Sequence, residues 1–267
     1  MATPCGKSAF VPSRIGPLDP SRSRPQPVRM SRTTARQGKG FVLMLASAVF
    51  LMLVLMILLS PTDDSEQEAS LLVDQRAKAE AGDPVARFKL AGFYARGEGV
   101  AQDLGEAAKW LALAAEQGYA PAQNNLAVCY STGAGVPKDQ AKAIEWIRKS
   151  AEQGYARAQC YLGLSYAKGE GVPRDQAQAL DWFRKSAAQG FPDALNHLGY
   201  CHSQGRGVPR DDAEAFACWS VAARSHEGAA RNLELLEKKI SDQNRLRGGL
   251  RRDELLRQIE AAKSKGS

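Results

Sequence analysis

Histidine and cysteine are the side chains best suited to hold a metal or act as a nucleophile, and this chain has few: three His and five Cys in 267 residues. His197 and Cys201 lie four apart, which puts them on one face of a helix. Two ligands do not make a zinc site, which takes at least three from the protein. His202 stands where equivalent segments carry tyrosine, so packing explains it, and His226 lies alone at a junction. Cys201 and Cys218 fall on adjacent elements and could pair in an oxidising compartment; free buried thiols are the other reading, for them as for Cys129 and Cys160. No nucleophile elbow, phosphate loop or paired metal motif is present. Neither catalysis nor a cofactor is expected.

One glycine-rich stretch imitates a phosphate cradle: RGEGVAQD, residues 96–103. It recurs as TGAGVPKD from 132, KGEGVPRD from 168 and QGRGVPRD from 204, always 36 residues on. Self-similarity at such a period marks stacked units, each touching only its neighbours. The elements around the loop explain it. Gly82, Gly118, Gly154 and Gly190 open the units, followed four residues on by Ala86, Ala122, Ala158 and Ala194. Four further come Leu90, Leu126, Leu162 and Leu198, then Tyr94, Tyr130 and Tyr166. Steps of four are helical, so each unit begins with a helix A. Small residues after each Leu (Ala91, Ala127, Gly163, Gly199) admit a neighbouring helix closely. Gly97, Gly133, Gly169 and Gly205 then fall where a left-handed C-cap ends helix A. Val100, Val136, Val172 and Val208 plug the turn. Asp103, Asp139, Asp175 and Asp211 read as N-caps of a helix B, with Glu106, Gln178 and Glu214 completing a capping box that Lys142 breaks in the second unit. Helix B buries Ala107 with Trp110, Ala143 with Trp146 and Ala179 with Trp182; in the fourth unit Cys218 takes the Trp place and Trp219 follows.

The pattern A-x-x-x-L-G-x-x-Y-x-x-G-x-G-V-x-x-D-x-x-x-A-x-x-W, over residues 82–225, resembles the Sel-one-like repeat (SLR) family, relatives of the tetratricopeptide repeat. The resemblance implies an all-α fold, an α/α superhelical solenoid of four 36-residue helix–loop–helix repeats with helical caps. It implies a scaffold that binds a protein or peptide partner in a concave groove, and no chemistry. By analogy with the tetratricopeptide relative, the inward residues lie two before and two after each Leu, and five and six after it. The resemblance thus assigns Phe88, Arg96, Asn124, Lys168, Asn196 and Tyr200 to the groove. The asparagines would bond a peptide backbone, Arg96 and Lys168 would meet carboxylates, and Tyr200 would anchor.

The flanks set where such a scaffold would work. Residues 1–40 hold six Pro, eight of the 36 Lys and Arg and one of the 29 acids, too little apolar content to fold; a disordered basic tail is expected, with Met30 an alternative start. The basic balance therefore belongs to the tail, and residues 61–267 are electrically neutral, which argues against a nucleic-acid partner. Residues 41–59 (FVLMLASAVFLMLVLMILL) carry one polar side chain, Ser47, and at about 1.5 Å per residue span a bilayer core. They are longer than a signal-peptide core and lack a small-x-small cleavage site, so an uncleaved transmembrane anchor is expected. Arg22, Arg24, Arg29, Arg32, Arg36 and Lys39 precede it, against Arg76 and Lys78 after it, which puts the N-terminus in the cytoplasm. In a bacterium the repeats would lie in the periplasm, held to the inner membrane by a single pass. Residues 60–81 then read as a linker and N-terminal capping helix, 82–240 as the solenoid, and 241–267 as a basic C-terminal helix or tail broken at Gly248–Gly249. Two rival classes remain: a cell-wall or β-lactam hydrolase akin to cysteine-rich repeat proteins, and a eukaryotic adaptor in an organelle lumen.

Overall fold

The computed structural model describes residues 64–265, with side chains over 70–264. The expected tail and the anchor at 41–59 lie outside the described residues. Among those described, no helix is long and apolar enough to cross a membrane.

Eleven helices and no strand make up the described residues: α1 (Asp64–Glu80), α2 (Pro84–Arg96), α3 (Leu104–Glu116), α4 (Ala120–Thr132), α5 (Gln140–Glu152), α6 (Ala156–Lys168), α7 (Gln176–Ala188), α8 (Pro192–Gln204), α9 (Asp212–Ala222), α10 (Glu227–Glu237) and α11 (Asp242–Lys265). The pairs α2/α3, α4/α5, α6/α7 and α8/α9 are the four A/B hairpins, and each helix B also packs on the next helix A, a helical repeat solenoid.

The capping expected from the sequence is in place. Gly97, Gly133, Gly169 and Gly205 end the A helices at φ between 66° and 82°. The four aspartates cap helix B by accepting the amide of the third residue on, at 3.0–3.1 Å. Lys142 does not spoil this: Asp139 takes its backbone N–H and draws its ammonium to 3.7 Å. The second loop glycine meets a stricter demand. Gly135 has φ 73°, and a Cβ on it would overlap the Leu104 carbonyl, because each loop lies on the start of the preceding helix B.

The core runs between paired helices. Leu90, Leu126 and Leu162 are at most 1% exposed, and Gly163 and Gly199 let helix B approach: a Cβ on Gly199 would sit 2.5 Å from Trp219 Nε1. The deepest place on helix B is one residue later than expected. Leu111, Ile147, Phe183 and Trp219 are buried there, while Trp110, Trp146 and Trp182 are half-buried, the last two under the ammonium groups of Lys149 and Lys185 at 4.2 and 3.9 Å. A polar ladder joins successive units. Ser150 Oγ donates to the Ala120 carbonyl and Ser186 Oγ to Ala156, each at 2.7 Å. Gln153 and Gln189 donate to the side-chain oxygens of Gln123 and Gln159 one unit back, and those two donate to Ala115 and Ala151. Helix-end carbonyls that stacking removes from water are thereby satisfied.

The ends differ from the repeats. At the first, Ala79 of α1 is buried beside Ala86 and Leu90, and the Arg87 guanidinium bonds its carbonyl at 3.0 Å. At the other, α10 is a shortened helix A capped by His226, whose Nδ1 accepts the Ala229 amide at 3.0 Å. The break expected at Gly248–Gly249 is absent: α11 runs unbroken through both. Gly248 is a point of close approach, where a Cβ would meet Phe216 at 2.8 Å and the Ala213 carbonyl at 2.9 Å. Arg247 and Arg251 then pair with Asp211 and Glu214 at 2.6 and 3.1 Å, and Ile259 packs on Gly190. Tertiary contact overrides the weak helix preference of two glycines.

Candidate functional site

A helix turns about 100° per residue, so burying the Leu of helix A decides what else it shows. The residue before each Leu and those two and six after it share the outer face. Lys89, Arg96, Val128, Thr132, Tyr161, Lys168, Tyr200 and Gln204 are exposed there, and Asn125, Leu164 and His197 half-exposed. The residue two before the Leu instead faces the neighbouring helix A. That rotation corrects part of the expected groove.

Asn124 is 1% exposed, inside the wall rather than on it. Its amide donates to Asn125 Oδ1 at 3.1 Å, and its own Oδ1 finds no partner among the described residues. Asn196 is half-buried and accepts from Asn232 of the next unit at 3.0 Å, while its carbonyl accepts the Trp219 indole N–H. Burial takes Asn124 out of reach of a peptide backbone, and Asn196 spends its side-chain oxygen on joining α8 to α10. The other four expected residues are accessible. Tyr200 is 41% exposed, with the Arg206 guanidinium 4.9 Å above its ring, and Lys168 lies 3.6 Å from Glu170. Phe88 is half-buried, edge-on to Tyr119 at 5.5 Å, and Arg96 Nη2 donates to Glu98 at 2.8 Å. The sequence reading missed Lys89, Asn125 and Tyr161. The signal that finds them is the helical wheel centred on the buried Leu.

Phe88 and Arg96 come together. They line a cavity of about 380 Å³ between α1 and α2, with Lys89, Gly92, Leu111 and Asn125 among its other walls.

The titratable groups behind the face are quiet. Burial pushes the Cys160 and Cys218 thiols up to about 12 and raises those of Cys129 and Cys201, which keeps them protonated at neutral pH. All four are free. Burial lowers the His197 pKa against the opposing pull of Asp193, and the ring stacks on Phe183 at 5.0 Å. Among the described residues no group of three His, Cys, Asp or Glu is placed to hold a metal ion.

Comparison with known proteins matches this architecture. A family model described as Sel1 repeat matches residues 84–119, 120–155, 156–191 and 192–226, each match opening on the first residue of a helix A. Two solved structures are 37% identical with a TM-score of 0.58. One is a protective antigen present in uropathogenic Escherichia coli strains, displaying an SLR fold; the similarity covers 61% of this chain and 35% of that one. The other is a Sel1 repeat protein from Oxalobacter formigenes, with 63% of this chain and 50% of that one covered. The chain thus spans half or less of the length of either. No curated protein matches it.

Proposed function

The chain belongs to the Sel1 repeat family, whose fold is a protein-interaction scaffold, and on that premise we propose that it holds a polypeptide partner against the outer face of its A helices at a bacterial membrane. The observation that carries the reading is the face itself. Val128, Tyr161 and Tyr200 offer exposed apolar and aromatic area on three successive A helices, with Leu164 half-buried among them. Lys89, Arg96, Arg157 and Lys168 lie along the same face, with Asp193 the one acid in its row. Exposed tyrosines beside bases suit a partner with acidic and apolar side chains.

The anchor and the side of the membrane rest on sequence: the apolar run at 41–59 and the excess of Lys and Arg before it. Both solved relatives are bacterial, which favours the periplasmic face of an inner membrane over an organelle lumen. A binding role without catalysis fits the thiols that burial keeps protonated and the absence of an activated nucleophile motif.

The test is crosslinking of the tagged full-length chain in intact membranes. Val128→Asp with Tyr161→Ala should lower partner recovery by about tenfold while the melting temperature holds. Lys149→Ala, on helix B, should change nothing. Equal recovery from all three chains would dispose of the face. A cysteine placed at exposed Lys138 should react with a membrane-impermeant maleimide from outside spheroplasts; labelling only after lysis would reverse the topology.

A further inference from the structure

We propose that the cavity between α1 and α2 seats one large apolar side chain of the bound partner, with an adjacent Asp or Glu of that partner meeting Lys89 and Arg96. The proposal rests on the A-helix face being the binding surface and names what its first unit recognises.

The cavity, about 380 Å³, falls within the usual ligand-pocket range. Leu71, Phe88, Phe93 and Leu111 make its walls apolar, and its lining holds two bases and no acid. Both bases are exposed, so they stand at the rim. Lys89 forms no ion pair among the described residues; Asp74, whose carboxyl feels its charge, is already bonded to Lys78 at 2.7 Å. Arg96 gives Nε and Nη2 to Glu98 and keeps Nη1. An apolar group bearing a nearby carboxylate complements such a site on both counts.

Gly92 shows that the space is not a packing accident. The other three units fill the equivalent place on helix A with Val128, Leu164 and Tyr200. Gly92 has no positive φ that would demand glycine. The nearest atoms a Cβ on it would meet belong to the flexible Arg96 guanidinium, from 3.1 Å. A glycine inside a helix weakens it relative to alanine. Neither backbone nor core asks for this one, and its effect is to let the Arg96 guanidinium lie against α2 at the cavity wall, where the other units place a side chain.

The experiment uses the full-length chain in membranes and an octapeptide of Gly and Ser carrying one p-benzoylphenylalanine followed by Asp. Irradiation should give adducts that map to residues 71–96, Leu111 or Asn125. Yield should fall about tenfold when Asn replaces the peptide's Asp, and as much in Gly92→Leu, which fills the cavity as the other units do. Gly92→Leu should melt no lower than the parent, so its loss is not unfolding. Undiminished yield in Gly92→Leu, or with the Asn peptide, overturns the proposal. Adducts confined to Tyr161 or Tyr200 also overturn it, yet leave the binding face standing. The face itself fails only if Val128→Asp with Tyr161→Ala leaves partner recovery intact.

Discussion

Gly92 and Gly199 sit inside A helices of the first and fourth units, and alanine at the two should act with opposite sign. In both, alanine removes the entropic penalty of a helix-interior glycine, a gain of about 0.5–1 kcal/mol. At Gly92 the new methyl first meets the guanidinium of Arg96, a flexible side-chain end that can swing aside, so the gain survives. At Gly199 it would lie 2.5 Å from Trp219 Nε1 and 2.7 Å from Cδ1. That indole is 5% exposed and bonded to the Asn196 carbonyl at 3.2 Å, so it has nowhere to go. Overpacking of this kind costs about 1–3 kcal/mol, and loss of the indole bond about 1 more. After the helix gain, Gly199→Ala is left about 1–3.5 kcal/mol less stable. For a folded part of this size each kcal/mol moves the midpoint by about 2–4 °C. Scanning calorimetry of the three chains should therefore show Gly92→Ala melting slightly above the parent and Gly199→Ala several degrees below. Adding Trp219→Phe to Gly199→Ala should recover part of the loss, since the smaller ring frees space. Two shifts of the same sign would refute the close approach of α8 and α9, and with it the account of why Gly92 is free.

Asp139→Ala removes the cap of α5 and should cost about 1 kcal/mol, a midpoint drop of about 2–4 °C, despite the missing capping-box partner. His202→Tyr, which restores the residue of the other units, should flatten the pH dependence of melting. Burial lowers the His202 pKa, so the unfolded chain binds the proton first and stability is lost as pH falls through the unfolded value of about 6.5. Midpoints at pH 7.5 and 5.5 should therefore lie closer together in the variant than in the parent; an unchanged gap would remove His202 from the account. Gly248→Leu forces a side chain onto Phe216 and should lift α11, opening Cys218 to alkylation in the native state, whereas in the parent Cys218 should react only at the rate of unfolding. Mass spectrometry after a timed pulse of iodoacetamide measures both rates.

The loops and caps were legible because each is a local matter. A left-handed turn needs glycine and a helix start needs an oxygen, so Gly97 and Asp103 announce themselves. What was not legible depends on neighbours outside the window. Whether Asn124 faces the groove or the next helix is a single-residue rotation, and no residue in its own turn decides it. The partner that settles the point for Asn196 lies 36 residues away, in Asn232. Ser150 and Gln153 look like ordinary helix-surface polar residues until the preceding unit brings Ala120 and Gln123 to them. Their recurrence as Ser186 and Gln189 was the available clue, since a polar residue kept at the repeat period answers to another unit. Gly248–Gly249 misled for the same reason: propensity speaks for an isolated helix, and α11 is not isolated.

The fourth unit explains how the stacking ends. In the first three, helix B carries a half-buried Trp on its outer side, and two of these lie under lysines. In the fourth, that place is Cys218, 3% exposed, and the large ring has moved one residue inward as Trp219. A thiol in place of an indole leaves a shallow seat on α9. Phe216 stands where the second unit has Ile144, and Gly248 meets it as the loop glycine Gly171 meets Ile144. So α11 occupies the place of a following unit's loop, and Arg247 and Arg251 tie it to the cap and first turn of α9. A further hairpin cannot stack there while α11 is down. Among the described residues no helix roofs the α1–α2 end, where Gly92 lies under the Arg96 guanidinium. The two ends of the described array thus differ, and the proposed partner contact belongs to the first unit because α11 covers the last.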